Sequence, residues 1–498
     1  MFRKILVANR GEIARRIFRA CRELGVQSVA VYSEVDRGAP WARQADESYP
    51  LKGNAATETY LNAEAIVSIA KAVDAEAIHP GYGFLSENVD FVRLCQRRHI
   101  TFIGPTPEAM EALGSKARAR ALAAECGVPV IPGVDGRDML ESELLAAAER
   151  LGFPVLIKAS GGGGGKGMRI VAHREEFFEA LQAARHEALV SFKDDHMLVE
   201  KHFPHVRHVE VQVFGDLHGN LVHLFERDCS IQRRYQKVVE ESPAPGLAPE
   251  LRARMAEAAL RLVRAVGYTS AGTLEFIVAP DGQFYFLEMN TRLQVEHPVT
   301  EAVTGLDLAA WQIRAAAGEP LSFGQADVCH RGHAVECRVY AEDPANDFLP
   351  SIGRIDYYRP PAGPGIRCDD GIETGRMISP HYDPLLAKVI TWGWDRAEAL
   401  RKMRRALRDC IVLGPTTNIA FLLDLLDHPA FEAGEVETGF IARHMADWRP
   451  GVELTEPVWL ALAAFEALHP APNRREGADE DRGFDPWAGL PGAWRNTS

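Results

Sequence analysis

The residues with the clearest capacity for chemistry lie in one segment, Glu288-Met-Asn-Thr-Arg-Leu-Gln-Val-Glu-His-Pro298. An extended chain alternates its side chains between two faces, so Glu288, Asn290, Arg292, Gln294 and Glu296 would form one row. A solvated edge strand would show the same alternation, and the preceding residues separate the two readings. From Thr273 to Asn290 the chain reads as two apolar strands around Asp281-Gly282, a strong signal for a two-residue hairpin turn. That register sets Glu275 opposite Glu288, among Phe, Ile, Val, Tyr and Leu. Directly opposed like charges destabilise a sheet, and a half-buried pair at roughly 5 Å repels by several kcal/mol at an effective dielectric of ~20. A hard divalent cation between them, with Asn290 adding a neutral oxygen, removes the conflict. Glu275, Glu288 and Asn290 are therefore the candidate Mg²⁺ (or Mn²⁺) ligands.

A second chemical signature follows the strand Pro154-Val-Leu-Ile-Lys158, where Ser160 precedes five glycines, Lys166, Gly167 and Met168. The P-loop pattern fails twice, with Ser160 in place of the first glycine and Gly167 in place of the Ser/Thr. Bare amides and a lysine between two strands suit a flexible hairpin that closes over phosphates. The segment Gln232-Arg-Arg-Tyr235-Gln-Lys237 is a basic patch followed by acid; beside a nucleotide and a metal it becomes a candidate anion site.

The elements that must position these groups begin with a strand (4–8), a helix (12–24) and a strand (28–32), the βαβ opening of an open parallel sheet. Asn9-Arg10-Gly11-Glu12 at its first turn does not match the dinucleotide fingerprint, although Glu34 and Asp36 follow the second strand. Ala77-Ile-His-Pro-Gly-Tyr82-Gly-Phe-Leu-Ser-Glu-Asn88 is a glycine-rich loop at a strand's carboxyl end, where such sheets bind ligands. Helical segments follow Pro105, with Lys116 in the second. Gly127 to Gly133 reads as a linker, Met197 to Phe203 as a strand whose end faces a base edge, and 248–266 as a long helix.

The chain has 498 residues, too many for a single core, with 46% hydrophobic and 25% charged residues, an ordinary soluble composition. A net charge of −13 argues against a general nucleic-acid surface. The eight cysteines form no CxxC and read as reduced thiols of a cytoplasmic protein. No apolar run approaches the roughly 18 residues of a membrane span. A strand from Lys4 is expected to leave no room for a signal or transit peptide.

Taken together, Lys116, Lys158, the Ser160–Met168 loop, Glu200-Lys201, Arg207-His-Val-Glu210, Glu226-Arg-Asp-Cys-Ser230, Gln236-Lys-Val-Val-Glu-Glu241 and the 288–301 segment resemble biotin carboxylase, of the ATP-grasp superfamily. His333-Ala-Val-Glu-Cys-Arg338 and His381 to Lys388 extend the resemblance, which covers about residues 1–446. It implies α/β and α+β architecture: an N-terminal open α/β domain (1–114), a central ATP-grasp domain (115–330, mobile lid about 131–203) and a C-terminal α+β domain (331–446). A tail or linker (447–498) follows.

The implied activity is ATP- and bicarbonate-dependent carboxylation of biotin on a carrier protein via carboxyphosphate, the first half-reaction of an acyl-CoA carboxylase. By position, Lys116, Lys158, Gly163, Gly164, Gly165, Lys166, Met168, Glu200, Lys201, Phe203, His208, Gln232, Tyr235, Glu275, Ile277 and Glu288 would hold ATP. Lys237, Arg292, Gln294 and the backbone of Val295 would hold bicarbonate, Glu296 would be the general base, and Arg338 with Tyr82 would meet biotin. The implied partners are biotin carrier and carboxyltransferase subunits or domains, with a homodimer or larger complex and neither nucleic acid nor membrane. A generic ATP-grasp ligase or carbamoyl-phosphate-type synthetase shares the lid and metals but does not need Arg338 or the Arg292–Glu296 row. A catalytically silent scaffold has no reason to keep so costly a charge cluster.

Tyr235 stands where the family often has histidine, Phe203 where leucine is common, and Lys166 where arginine is frequent. Beyond Asp447, Pro457 to Leu468 reads as a short amphipathic helix and 470–485 as polar and disordered. Asp485 to Asn496 resembles the lead into the linking domain of acyl-CoA carboxylase α subunits, and no Met-Lys-Met biotinylation site is present. Trp487 and Trp494 in that tail are expected to be interface anchors, dispensable for reaction with free biotin.

Overall fold

The computed structural model describes residues 1–160, 167–192, 194–451 and 456–468. The chain opens with five parallel strands, β1 (Lys4–Val7), β2 (Gln27–Tyr32), β3 (Glu47–Pro50), β4 (Ala77–His79) and β5 (Thr101–Phe102), in the order β3-β2-β1-β4-β5. Helices α1 (Gly11–Glu23), α2 (Ala63–Ala72) and α3 (Val89–Arg97) connect them. Ile5 and Val7 pack with Ile13, Ile17 and Phe18 of α1, whereas Leu6 packs with Ile66 of α2 and Phe91 of α3. Both faces are covered, which is why the strands read as unbroken apolar runs. The loops leaving β1 and β4 lie side by side at the switch point of the strand order, and Asn9 Nδ2 donates to the carbonyls of Pro80 and Tyr82, each at 2.7 Å.

Helix α4 (Lys116–Glu125) leads to a four-stranded sheet of β6 (Gly133–Asp135), β7 (Val155–Ala159), β8 (Arg169–Val171) and β9 (Met197–Lys201), ordered β6-β9-β7-β8. The glycine run lies in sequence between β7 and β8, and its residues 161–166 fall outside the described residues.

An eight-stranded antiparallel sheet dominates the remainder. Its strands are β10 (Arg207–Gly215), β11 (Leu221–Arg233), β12 (Gln236–Ser242), β13 (Ser270–Val278), β14 (Phe284–Asn290), β15 (His333–Tyr340), β16 (Ile366–Asp370) and β17 (Leu385–Gly393), ordered β14-β13-β10-β11-β12-β15-β17-β16. One face is apolar: Val209, Val211, Leu274 and Phe276 meet Met255 and Leu262 of α5 (Pro249–Ala265). Farther along, Val335, Cys337 and Val339 meet α7 (Arg396–Asp409) and α8 (Ile419–Leu426). Alternation then puts His208, Glu210, Glu275, Glu336 and Arg338 on the opposite face. Helix α6 (His297–Thr304) packs on that side, Val299 and Val303 meeting Ala334 and Ile390. The expected boundary near residue 330 thus falls between strands of one continuous sheet.

The hairpin before the 288–298 segment differs in detail from a two-residue turn. Its loop is Pro280-Asp281-Gly282, closed by Ala279 N–H donating to Gln283 O at 2.8 Å, with Gly282 at φ +78°. Phe276 therefore pairs with Phe286, and an irregularity after Glu275 inserts one residue into β14, restoring the Glu275–Glu288 pairing. The strand ends at Asn290 rather than running to Glu296, and Glu296 is the N-cap of α6.

Chain contacts group Met1–Trp448 as one unit and Arg449–Ser498 as another. In the second, α9 (Glu456–Leu468) matches the helix expected there, whereas the tail positions Trp487 and Trp494 lie outside the described residues. No helix among the described residues is long and apolar enough to cross a membrane.

Candidate active site

The charged face of the large sheet and the β1 and β4 loops enclose a cleft of about 850 Å³. His208, Tyr235, Lys237, Glu275, Glu288, Asn290, Arg292, Gln294, Val295, Arg338 and Tyr82, all singled out from the sequence, line it. Residues from β4 to β15 converge here because strands far apart in sequence present the same face.

Lys237 is the hub. Its Nζ lies 2.6 Å from Glu210 Oε2, 2.9 Å from Glu275 Oε1 and 2.6 Å from Glu296 Oε1. Burial disfavours the ammonium, but its anionic neighbours outweigh this and raise its pKa well above the ordinary lysine value. Glu296 is fully buried. Burial alone would raise its pKa, yet Lys237, then Arg338 and Arg227, hold it well below the usual carboxylate range. Arg338 links the two sides of the site: Nε donates to Glu240 Oε1 at 2.6 Å and Nη2 to Glu296 Oε2 at 3.0 Å.

Arg292 sits at the cleft edge with its fork fixed. Nε donates to Glu87 Oε2 at 2.9 Å, Nη1 to Gln294 Oε1 at 2.8 Å and Nη2 to Asn290 Oδ1 at 2.9 Å. Although Thr291–Glu296 is not a strand, the turn still aims Arg292 and Gln294 into the cleft, and Gln294 Nε2 donates to Glu275 Oε1 at 3.1 Å. Behind Val295, its carbonyl accepts from Lys388 Nζ at 2.7 Å. Lys388 also pairs with Glu12 at 3.1 Å, and Tyr82 donates its hydroxyl to the same carboxylate.

The three candidate metal ligands are brought together. Glu288 is one-third exposed, with Lys116 Nζ at 3.4 Å. Glu275 carries Lys237, the Asn290 amide at 2.8 Å and His208 Nε2 at 2.9 Å. Two opposed carboxylates and an amide oxygen beside an open cleft form a hard-oxygen donor set that fits Mg²⁺. Two further clusters, His208/Glu210/Glu275 and Glu210/Cys229/Glu296, have ligand-like spacing, but both depend on Glu210, which is fully buried with one oxygen bonded by Arg227 and the other by Lys237.

Among the described residues, the remaining expected ATP contacts do not line this cleft. Lys158 and Glu200 form a buried 2.7 Å ion pair on adjacent strands β7 and β9, with Arg120 at 3.2 Å from the same carboxylate. Lys201 Nζ donates to Gly152 O at 2.7 Å, and the Lys201 and His202 N–H groups bond Pro132 and Pro154 carbonyls. These three donors are thus engaged within the protein. Met168 precedes β8, and Phe203 stacks on Tyr285 with centroids 5.0 Å apart. Gln232 pairs with Lys237 across β11 and β12, and Ile277 with His208 and Tyr285. Gly163, Gly164, Gly165 and Lys166 lie outside the described residues.

Sequence reasoning missed Glu210, Glu240, Glu87, Glu12, Lys388 and Glu336. Glu210 and Glu336 had a usable signal, since each lies two positions from a singled-out residue, His208 and Arg338, on one strand. The others join the site through long-range pairing that no local pattern announces.

Family models match along the chain: "Biotin carboxylase, N-terminal domain" over 1–110, "Carbamoyl-phosphate synthase L chain, ATP binding domain" over 115–323, and "Biotin carboxylase C-terminal domain" over 336–443. A Nostoc biotin carboxylase is 50% identical over 440 residues, covering 88% of this chain and 98% of that one. The rat mitochondrial methylcrotonoyl-CoA carboxylase subunit alpha is 51% identical over 448 residues, 90% of this chain and 63% of the relative. The chain thus spans less than two thirds of that subunit's length. Among solved structures, the biotin carboxylase domain dimer of Hydrogenobacter thermophilus 2-oxoglutarate carboxylase, in complex with MgADP, ADP and bicarbonate, superposes with a TM-score of 0.87. It is 47% identical and covers 89% of this chain and 98% of that one.

Proposed function

The chain belongs to the biotin carboxylase family, and from that premise we propose that it carboxylates the ureido nitrogen of carrier-bound biotin with bicarbonate and ATP. The observation that carries this reading is the Lys237–Glu296–Arg338 chain at the cleft, which joins a bicarbonate-side cation to a biotin-side cation through one ionised carboxylate. A generic ATP-dependent ligase has no use for that link.

Lys116, Lys158, the glycine loop, Glu200, Lys201, Phe203 and Tyr235 hold the nucleotide, with His208, Gln232 and Ile277 beneath it. Glu275, Glu288 and the Asn290 oxygen would hold Mg²⁺, which would supply neutralisation of phosphate charge. Arg292, Lys237, Gln294 and the Val295 backbone orient bicarbonate; a planar anion suits a guanidinium fork better than a point charge. Glu296, already ionised, takes the bicarbonate proton at Oε as the bicarbonate oxygen attacks the γ-phosphorus and ADP leaves. Carboxyphosphate then splits into CO₂ and phosphate, the phosphate accepts the biotin N1 proton, and N1 attacks CO₂. Arg338 donates to the ureido oxygen as negative charge develops there, and Tyr82 flanks the ring.

The domain division 1–114, 115–330 and 331–446 is supported by the ranges of the three family models. Carrier and carboxyltransferase partners and a homodimer are further parts of this reading. So is a reducing, cytoplasmic location, supported by the eight unpaired cysteines.

ATP hydrolysis with Mg²⁺ and bicarbonate, measured with and without free biotin, tests the proposal. Biotin-stimulated ADP release with formation of carboxybiotin is expected. Hydrolysis indifferent to biotin in an active preparation would sink it in favour of the generic ligase.

A further inference from the structure

Glu336 and Glu240 are direct partners across the β12–β15 ladder, and neither exposes any surface. Glu240 is committed to Arg338. Neither carboxyl oxygen of Glu336 has a hydrogen-bond partner. Two ionised carboxylates at directly opposed sheet positions in a dry interior are strongly disfavoured, so the pair retains a proton.

The neighbouring charges decide which member holds it. From its own strand Glu336 meets Arg338, from β17 Lys388, and from the segment before α6 Glu296. Glu12 of α1 and Tyr82 of the β4 loop complete the rim, bonded to each other. Arg338 is taken by Glu240 and Glu296, and Lys388 by Glu12 and the Val295 carbonyl. Those two cations therefore stand against four carboxyls. Among the described residues no other cation is spare nearby: Lys237 and Arg227 serve Glu210, Glu275 and Glu296, while Arg367 holds Asp369 and Glu301. Burial keeps His297 of α6 neutral. For Glu336 burial dominates; Lys388 opposes it and Glu240 adds to it, leaving the carboxyl well above its ordinary range.

Building on the proposed carboxylation, we propose that Glu336 is a positioning residue for the biotin step, a neutral acid whose lack of charge leaves Arg338 on Glu296 and Lys388 on the Val295 carbonyl. An ionised Glu336 would draw both cations toward itself, because a bare carboxylate in a low-dielectric interior outcompetes a carbonyl and an already shared carboxylate. Loss of its proton at high pH would loosen the biotin-side guanidinium and the bicarbonate-side backbone together.

The test uses the full chain and the variant Glu336→Gln, which copies the neutral shape. Infrared difference spectroscopy through a pH titration, without substrates, reads protonated carboxyls directly. The expected result is a protonated-carboxyl component near neutral pH in the wild type that Glu336→Gln lacks. In biotin-stimulated ATP cleavage the variant's alkaline limb should shift to higher pH, through KM for biotin rather than KM for ATP. The same infrared component in the folded variant, or an unmoved alkaline limb, overturns the proposal. If Glu336→Gln does not fold, Glu336→Leu takes its place with the same two expectations. Absence of all biotin stimulation in the wild type would instead sink the carboxylation reading, while the infrared arm still reports on Glu336.

Discussion

Lys237 Nζ lies 2.6 Å from Glu296 Oε1, a contact that keeps the candidate base ionised although its side chain has no exposed surface. Removing that charge should separate binding from chemistry. Glu296→Gln is expected to retain ATP binding but lose about 10²–10⁴-fold in bicarbonate-dependent turnover, the usual range for a general base. Because Glu296 titrates well below ordinary carboxylates, an acid limb near neutral pH belongs to another group. Unchanged steady-state turnover would remove Glu296 from the mechanism.

The opposed pair Glu275 and Glu288 yields a prediction of different sign for activity and folding. Glu288→Gln should raise the Mg²⁺ concentration needed for ATP cleavage and lower the rate. The same change should leave metal-free stability equal or slightly higher, since one of two facing like charges is gone. Metal titration of activity beside thermal melting in chelator checks both parts. A strong loss of metal-free stability would make Glu288 a structural carboxylate paired with Lys116.

Arg292 makes four directed contacts, to Glu87, Asn290, Gln294 and the Leu293 carbonyl. A lysine keeps the charge but cannot reproduce the planar fork. Arg292→Lys should therefore raise KM for bicarbonate while leaving KM for ATP near its original value. Equal effects on both constants would mean that Arg292 acts on the fold of the segment rather than on the anion.

Away from the cleft, Glu241 is clamped by His333 Nε2 at 2.7 Å and Arg396 Nε at 2.7 Å. Burial alone would raise its pKa, but these partners outweigh it and lower the group from 4.5 to about 2. A depressed carboxyl contributes stability that is present above its unfolded value and lost as pH falls through its folded value. That contribution, on the order of 3 kcal/mol, should fade between about pH 4.5 and pH 2. Denaturant midpoints should thus show Glu241→Gln costing far more at pH 7 than at pH 3. An equal cost at both would remove the ion pair as the cause.

The period of two along β13 and β14 was enough, from sequence alone, to put Glu275, Glu288 and Asn290 on one face, because backbone geometry forces alternation wherever a strand persists, whereas His208 joins them only through the β10–β13 pairing. The Glu275–Glu288 pairing also followed from the sequence, but through two departures that cancel: a three-residue turn in place of two, and one extra residue in β14. The path from Thr291 to Glu296 was not legible, since the strand yields there to a turn that caps α6, and only packing decides where Glu296 points. Nor could local pattern reveal that Glu240 faces Glu336, or that Lys388 reaches the Val295 carbonyl. Those contacts arise when β12, β15 and β17 join one sheet. Strand order is set by burying the apolar face against α5, α7 and α8, a whole-domain property that leaves no mark at any single position.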